Sequence, residues 1–278
     1  MSPLKKINSR SIGCWIAQAF VLVSILLISG CQSYLADYSS AQKHFDTASQ
    51  LQASKVFEPV LTRNLGDESI AYNQIHSHYA VALKLISEVI DTHEKELKQD
   101  QLLGNAFTIK AISQWKLGQT KDALSTKKQA LENQQLLYPR DKALMTALPG
   151  LIKAEQANSK RLNKEPYLGT LGIREMILGG NGAMNDFNMA LKALDQKHPV
   201  RIYIIMTQIA SIRILHSATL LIPDLTIQKE ERTDLIETYF KPLRKELITL
   251  LKEFEIYGES SSENLLLYFN RIFGSGPD

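Results

Sequence analysis

The chain has 278 residues, of which 44% are hydrophobic and 22% charged, and this composition excludes a disordered, collagen-like or polytopic membrane protein. Its formal charge of +3 comes entirely from Lys5, Lys6 and Arg10, which lie in an N-terminal stretch without acidic residues. The rest of the chain is neutral and lacks the basic surface that nucleic-acid binding requires, so we expect no nucleic-acid partner.

The N-terminus has the pattern of a secretory signal, because a basic start ending at Arg10 precedes an apolar stretch from Ile12 to Ile28. This stretch ends in Leu27-Ile28-Ser29-Gly30-Cys31, which resembles the lipobox of bacterial lipoproteins. The resemblance implies that residues 1–30 are removed as a signal peptide and that Cys31 is lipidated, with acyl chains such as palmitate. The alternative is a single signal-anchor helix with an incidental cysteine.

Lipidation predicts a protein that is anchored to a membrane without spanning it. In the lipoproteins of Gram-negative cells, an aspartate after the cysteine commonly marks retention at the inner membrane. Gln32 occupies that position here, which implies the periplasmic face of the outer membrane. Cys14 leaves with the signal, so the mature chain keeps only Cys31 and forms no internal disulfide.

From Tyr34 to Asp278 there is no alternating strand pattern, and we predict an all-α fold. Small and larger side chains recur at helical spacing in four copies, three of them 41 residues apart and a fourth after a glycine-rich turn: Ala41/Phe45/Ala48, Ala82/Ile86/Val89, Ala123/Lys127/Ala130 and Ala183/Phe187/Ala190/Leu191. The small residues allow close approach of paired helices. These copies resemble the second helix of a tetratricopeptide repeat (TPR).

The third copy is the most complete, because Gly118-Gln119 separates the predicted helices Phe107–Leu117 and Lys121–Leu137. It departs from the family pattern at Lys110 and Gln114, where a large apolar residue is usual. The resemblance implies antiparallel helix pairs stacked as a TPR-like α-solenoid over residues 31–139. Any antiparallel helical bundle also places alanines at helical spacing, so a plain bundle remains the alternative.

Residues 140–278 are less regular, and we expect them to continue the same superhelix with further repeats and C-terminal helices. Pro149 is expected to kink or interrupt the first of these helices. The capping pattern Ser260-Ser261-Ser262-Glu263 predicts the last one. The predicted helices are Asp141–Arg161, Tyr167–Leu178, one beginning at Ala183, Ile202–Ile222, Leu235–Phe254 and a final one over residues 264–273.

The apolar run Ile202–Ile222 could be mistaken for a membrane span, but Gln208, Arg213 and His216 lie within it. A charged group is costly at the centre of a bilayer, so we predict a buried core helix instead. Arg213 and His216 form a candidate buried ligand site, because buried ionisable groups often mark functional sites. Simple pairing with an acidic residue is the alternative.

The sequence contains no catalytic motif of the phosphate-binding loop, nucleophile-elbow or zinc-protease type, so we expect no enzyme and no cofactor. His76 and His78 lie two positions apart, and in a helix this spacing points their rings in different directions, so we expect no shared metal. Gly179-Gly180-Asn181-Gly182 is expected to form an interhelical turn with positive φ, with anion binding as the alternative.

The TPR resemblance implies an adaptor that binds another periplasmic or envelope protein through the inner face of its first helices. The alternative is a solute-binding accessory lipoprotein, because the Gly-Gly turn before the Ala183 helix is similar to the lipoprotein component associated with TRAP transporters. An enclosed cavity near Arg213 and His216 would favour the second function. The expected partner surface consists of Asn105, Thr108, Ile109, Ile112, Trp115 and Lys116.

Overall fold

A computed structural model describes residues 34–51, 65–162 and 167–254 of the chain. The signal sequence, Cys31 and the predicted helix over residues 264–273 lie outside these ranges. The described residues form helices and no strand, which confirms the all-α prediction. The helices are α1 (residues 34–51), α2 (Leu65–Gln99), α3 (Leu103–Lys116), α4 (Thr120–Glu132), α5 (Pro139–Leu162), α6 (Tyr167–Leu178), α7 (Ala183–Lys192), α8 (Val200–Ala218), α9 (Leu225–Asp234) and α10 (Lys241–Phe254).

The pair α3 and α4 packs as the small-residue register predicts. Ala111 of α3 and both Ala123 and Ala130 of α4 are fully buried. Gly118 lies in the turn between the two helices with φ of 79°, a left-handed conformation that glycine adopts without strain. Gln114, which departs from the apolar pattern, accepts a hydrogen bond from the Thr126 hydroxyl at 2.8 Å, so a buried polar pair replaces an apolar contact here.

The same register is buried in the other copies. In the first copy, Phe45 packs against the core. The buried residues are both alanines of the first copy and all residues of the second and fourth copies: Ala41, Ala48, Ala82, Ile86, Val89, Ala183, Phe187, Ala190 and Leu191. The long helix α2 carries a kink at His93, where φ is −132° and ψ is 31°. The Tyr34 ring stacks on His93 with centroids 5.2 Å apart, so α1 packs at this kink.

Helix α5 runs without a break through Pro149, so the interruption considered from the sequence does not occur. The next residue, Gly150, lies in close contact with α7. A Cβ atom at Gly150 would meet the Ala183 carbonyl oxygen and the Phe187 ring, each at 2.9 Å. Pro149 removes one backbone N–H donor from α5, and the helix packs closely against α7 at the next residue.

The glycine-rich segment forms the turn between α6 and α7, as predicted, but the expected positive φ is wrong. Among the described glycines, only Gly118 has positive φ. Close approach is the physical reason for a glycine here, because a Cβ atom at Gly182 would lie 2.7 Å from the Ile177 carbonyl oxygen. Lys153 Nζ donates to the Asn181 carbonyl oxygen at 2.5 Å and pairs with Asp186 at 2.7 Å. The Lys153 ammonium group and the Asp186 carboxylate therefore lie together at the start of α7.

Helix α8 lies in the core, as its sequence predicts, and packs on α5, α6, α7 and α10. In the described part of the chain, one segment, Val200–Leu221, is long and apolar enough to span a membrane, and 56% of its most apolar window is buried. The last described helices also pack inward, and Leu235, Leu247 and Leu250 are buried. A π-helix, Leu235–Phe240, precedes Pro242, which cannot donate a backbone hydrogen bond to the previous turn.

Candidate functional site

The structure buries most of the expected partner surface, which lies on α3. The open partner face that the sequence predicts on α3 is therefore wrong for five of its six residues, and Lys116 alone is half-buried. The cause is tertiary, because α2, α4 and α5 all pack on α3. The exposed fractions are 4% for Asn105, 2% for Thr108, 2% for Ile109, 9% for Ile112 and 8% for Trp115.

Asn105 belongs to a buried polar network between helices. Its side-chain oxygen accepts a hydrogen bond from the Tyr38 hydroxyl at 2.6 Å, and its amide donates to Asp141 at 3.1 Å. Arg140 pairs with the same carboxylate at 2.9 Å. Burial, and then the charge of Asp141, raise the pKa of Tyr38 to about 12. These contacts join α1, α3 and α5 and give Asn105 a structural role.

Trp115 is also tied to a neighbouring helix. Its indole Nε1 donates a hydrogen bond to Oε2 of Glu155 on α5 at 2.7 Å. The expectation of an exposed indole anchor at Trp115 is wrong, since the ring is 8% exposed. Glu155 itself is exposed, so the cluster of these two residues reaches the surface at its carboxylate end.

Lys116 completes this cluster. Its Nζ lies 3.8 Å from the centroid of the Trp115 ring, a cation–π contact. Burial lowers the pKa of Lys116 to about 8, and the negative charge of Glu155 opposes that shift. The side chain is half-buried, yet protein atoms surround it closely enough to desolvate the ammonium group.

Tyr203 on α8 is also partly exposed and has a shifted pKa. The side chain is 45% exposed, and burial and then the charge of Tyr79 on α2 raise the pKa of its hydroxyl to about 12. Helix α2 packs on α3, α3 on α5 and α5 on α8. The Tyr79 and Tyr203 hydroxyls interact electrostatically although they lie on the first and last helices of this series. We call Lys116, Glu155 and Tyr203 the candidate contact residues.

Arg213 and His216, the second candidate site, lie in different surroundings. His216 is 5% exposed and accepts a hydrogen bond at Nε2 from Arg232 Nε over 3.1 Å. Burial, and then the charge of Arg232, lower the pKa of His216, which favours the neutral ring that this bond requires. Arg213 is exposed instead. The expectation of one buried site containing both residues is therefore wrong.

Arg213 lines an open cleft of about 310 Å³ between α5 and α8. Within the cleft, Arg161 donates from Nε and Nη2 to Oδ1 of Asn158, at 3.1 and 2.8 Å. The two guanidinium groups give this cleft a cationic lining. We call it the arginine cleft, and its residues are Asn158, Arg161, Ala210, Arg213, Ile214 and Ser217.

Sequence reasoning did not identify Glu155 or Tyr203. Glu155 lies in a charged stretch of α5, and its contact with Trp115 spans 40 residues. Tyr203 lies at the start of an apolar run in which most side chains are buried. No local spacing marks either residue, because each acquires its surroundings from helices that are distant along the chain.

No protein-family model, no curated protein and no solved structure matches this chain.

Proposed function

We propose that this chain is a periplasmic lipoprotein with TPR-like helix pairs, anchored to the outer membrane through Cys31, and that it acts as a non-enzymatic adaptor for another envelope protein. The lipobox-like sequence at residues 27–31 supports the anchor. The buried alanines of the α3–α4 pair support TPR-like packing. Curved stacks of helix pairs commonly bind partners along their concave surfaces.

The observation that carries the adaptor function is the exposed ring of Tyr203. An aromatic ring that is 45% exposed combines a large contact area with few rotatable bonds. A cation and a carboxylate, Lys116 on α3 and Glu155 on α5, meet at the Trp115 ring. A partner segment with an apolar side chain flanked by polar groups matches this chemistry. Tyr203 therefore replaces Trp115 as the central contact residue of the proposal.

The alternative function is solute binding in a TRAP-type transport system, and the arginine cleft is the observation that favours it. Its guanidinium groups suit a small anion. The cleft is open to solvent and His216 does not line it, whereas a solute-binding component would be expected to enclose its ligand. The adaptor function is the one that the geometry supports better.

Purification of the native lipoprotein from membranes separates the two functions. We expect Tyr203→Ala to lose a co-purifying envelope protein and Arg161→Ala to retain it. Circular dichroism checks that both variants keep the helical fold. If Arg161→Ala instead loses a bound small anion in native mass spectrometry while Tyr203→Ala changes nothing, the adaptor function is wrong and the solute function stands.

A further inference from the structure

Two histidines join α1 to α2. Nδ1 of His44 lies 2.8 Å from Nδ1 of His78, although the residues are 34 positions apart in the sequence. Their ring centroids are 5.1 Å apart with an interplanar angle of 38°. Both side chains are half-buried. The two nitrogen atoms thus converge on one point at the interface between the helices.

This geometry is close to that of a metal site. Zinc binds imidazole nitrogen at about 2.0–2.1 Å, so two nitrogens on one tetrahedral ion lie about 3.3 Å apart. Moving the two Nδ1 atoms apart by a further ~0.5 Å reaches that distance. Small rotations of the two side chains are enough for this movement. Without a metal, one nitrogen must carry a proton and the other must accept it.

The donor set selects the kind of ion. Imidazole suits zinc and copper, whereas calcium and magnesium take oxygen ligands. Within the described ranges there is no cluster of three or more His, Cys, Asp and Glu side chains that could hold a metal. The described chain therefore supplies two ligands, and water completes the coordination.

We propose that His44 and His78 form a two-histidine site for Zn²⁺ or Cu²⁺ that fastens α1 to α2. The ion takes the place of the proton between the two Nδ1 atoms, and the ring that carried this proton holds it on Nε2 instead, so both ligands are neutral imidazoles. Because the unfolded chain does not hold the two rings together, binding stabilises the folded state in proportion to the free metal concentration.

The test uses the full mature chain without a histidine tag, stripped of metal with EDTA. Zn²⁺ and Cu²⁺ are titrated by calorimetry, and the melting temperature is measured with and without Zn²⁺. We expect one bound ion and a higher melting temperature in the unchanged protein. His44→Ala and His78→Ala should each weaken binding at least tenfold and abolish the shift in melting temperature.

His76→Ala is the matched control, because His76 lies on the same helix but its ring packs against Tyr72 with centroids 5.4 Å apart. It should bind metal as the unchanged protein does. The electron paramagnetic resonance spectrum of the Cu²⁺ form should show two nitrogen ligands, a readout that does not depend on the folding of any variant. The proposal is overturned if the unchanged protein binds neither ion with two nitrogen ligands, or if both alanine variants bind as tightly as His76→Ala.

Discussion

Trp115 and Glu155 join α3 to α5 through a hydrogen bond of 2.7 Å from the indole Nε1 to the carboxylate. The bond holds the indole ring beneath the Lys116 ammonium group, whose Nζ is 3.8 Å from the ring centroid. Three side chains with different chemistry are thereby fixed relative to one another where α3 meets α5. Their arrangement gives measurable consequences for fluorescence, titration and stability.

Trp115 should behave as a buried residue. Trp15 lies in the predicted signal peptide, so the mature chain reports from one indole. We expect blue-shifted emission and weak quenching by acrylamide. Trp115→Ala should lower the free energy of unfolding by about 3–5 kcal/mol, the usual cost of truncating a buried large aromatic residue. Trp115→Phe, which keeps the ring but not the donor, should cost less. Red-shifted emission with ready quenching would contradict the packing described for α3.

Lys116 should titrate near pH 8. Burial lowers its pKa from 10.5 to about 8 against the opposing charge of Glu155, so Glu155→Gln should lower that pKa further. Carbon-13 methylation of lysines followed by NMR titration measures both values, with the exposed Lys128 as the reference within the same sample. A midpoint for Lys116 equal to that of Lys128 would show that its ammonium group is fully solvated.

The lowered pKa of Lys116 also determines how the free energy of unfolding changes with pH. Between about pH 8 and 10.5 the unfolded chain holds a proton on Lys116 that the folded chain has lost. The contribution of this residue to the free energy of unfolding therefore rises with pH across that interval. Lys116→Met removes the titrating group. The free energy of unfolding of the unchanged protein, measured relative to that of the variant at the same pH, should therefore rise as the pH increases from 8 to 10.5. A difference independent of pH would refute the assignment.

Two glycines provide a matched pair for the packing of α5 and α7. A Cβ atom at Gly150 would meet α7 atoms at 2.9 Å, whereas one at Gly172 on α6 meets nothing within 4 Å. Gly150→Ala should lower the free energy of unfolding by about 1–3 kcal/mol through overpacking. Gly172→Ala should raise it by about 0.5–1 kcal/mol, because alanine favours the helix. Chemical denaturation measures both, and equal effects of one sign would mean that α5 and α7 are not in close contact at Gly150.

The membrane anchor has a direct test at Cys31. Cys31→Ser removes the only thiol behind the lipobox-like sequence, so the variant should remain as uncleaved precursor or be released from the membrane. Membrane fractionation and intact-mass measurement distinguish these forms. A serine variant that is cleaved at the same bond and still sediments with the outer membrane would show that lipid on Cys31 is not the anchor.

Local pattern predicts the helices well because each one carries its own signals. Glycine ends α3, and alanines at a spacing of seven residues give the buried stripe of α4, so both features are readable without a structure. The partners of Trp115 and His44 are not readable in this way. Glu155 lies 40 residues from Trp115, and His78 lies 34 residues from His44. Their contacts depend on how the helices curve and cross, which short-range spacing does not determine.

Photo-crosslinking in living cells at Tyr203 tests the adaptor function most directly. A photoreactive phenylalanine analogue is introduced at Tyr203, and in a parallel strain at Tyr138, an aromatic residue that is 56% exposed directly before α5. If Tyr203 contacts a partner, position 203 should give one discrete adduct with an envelope protein and position 138 should not. The absence of an adduct at position 203, or the same adducts at both positions, would contradict the proposed function.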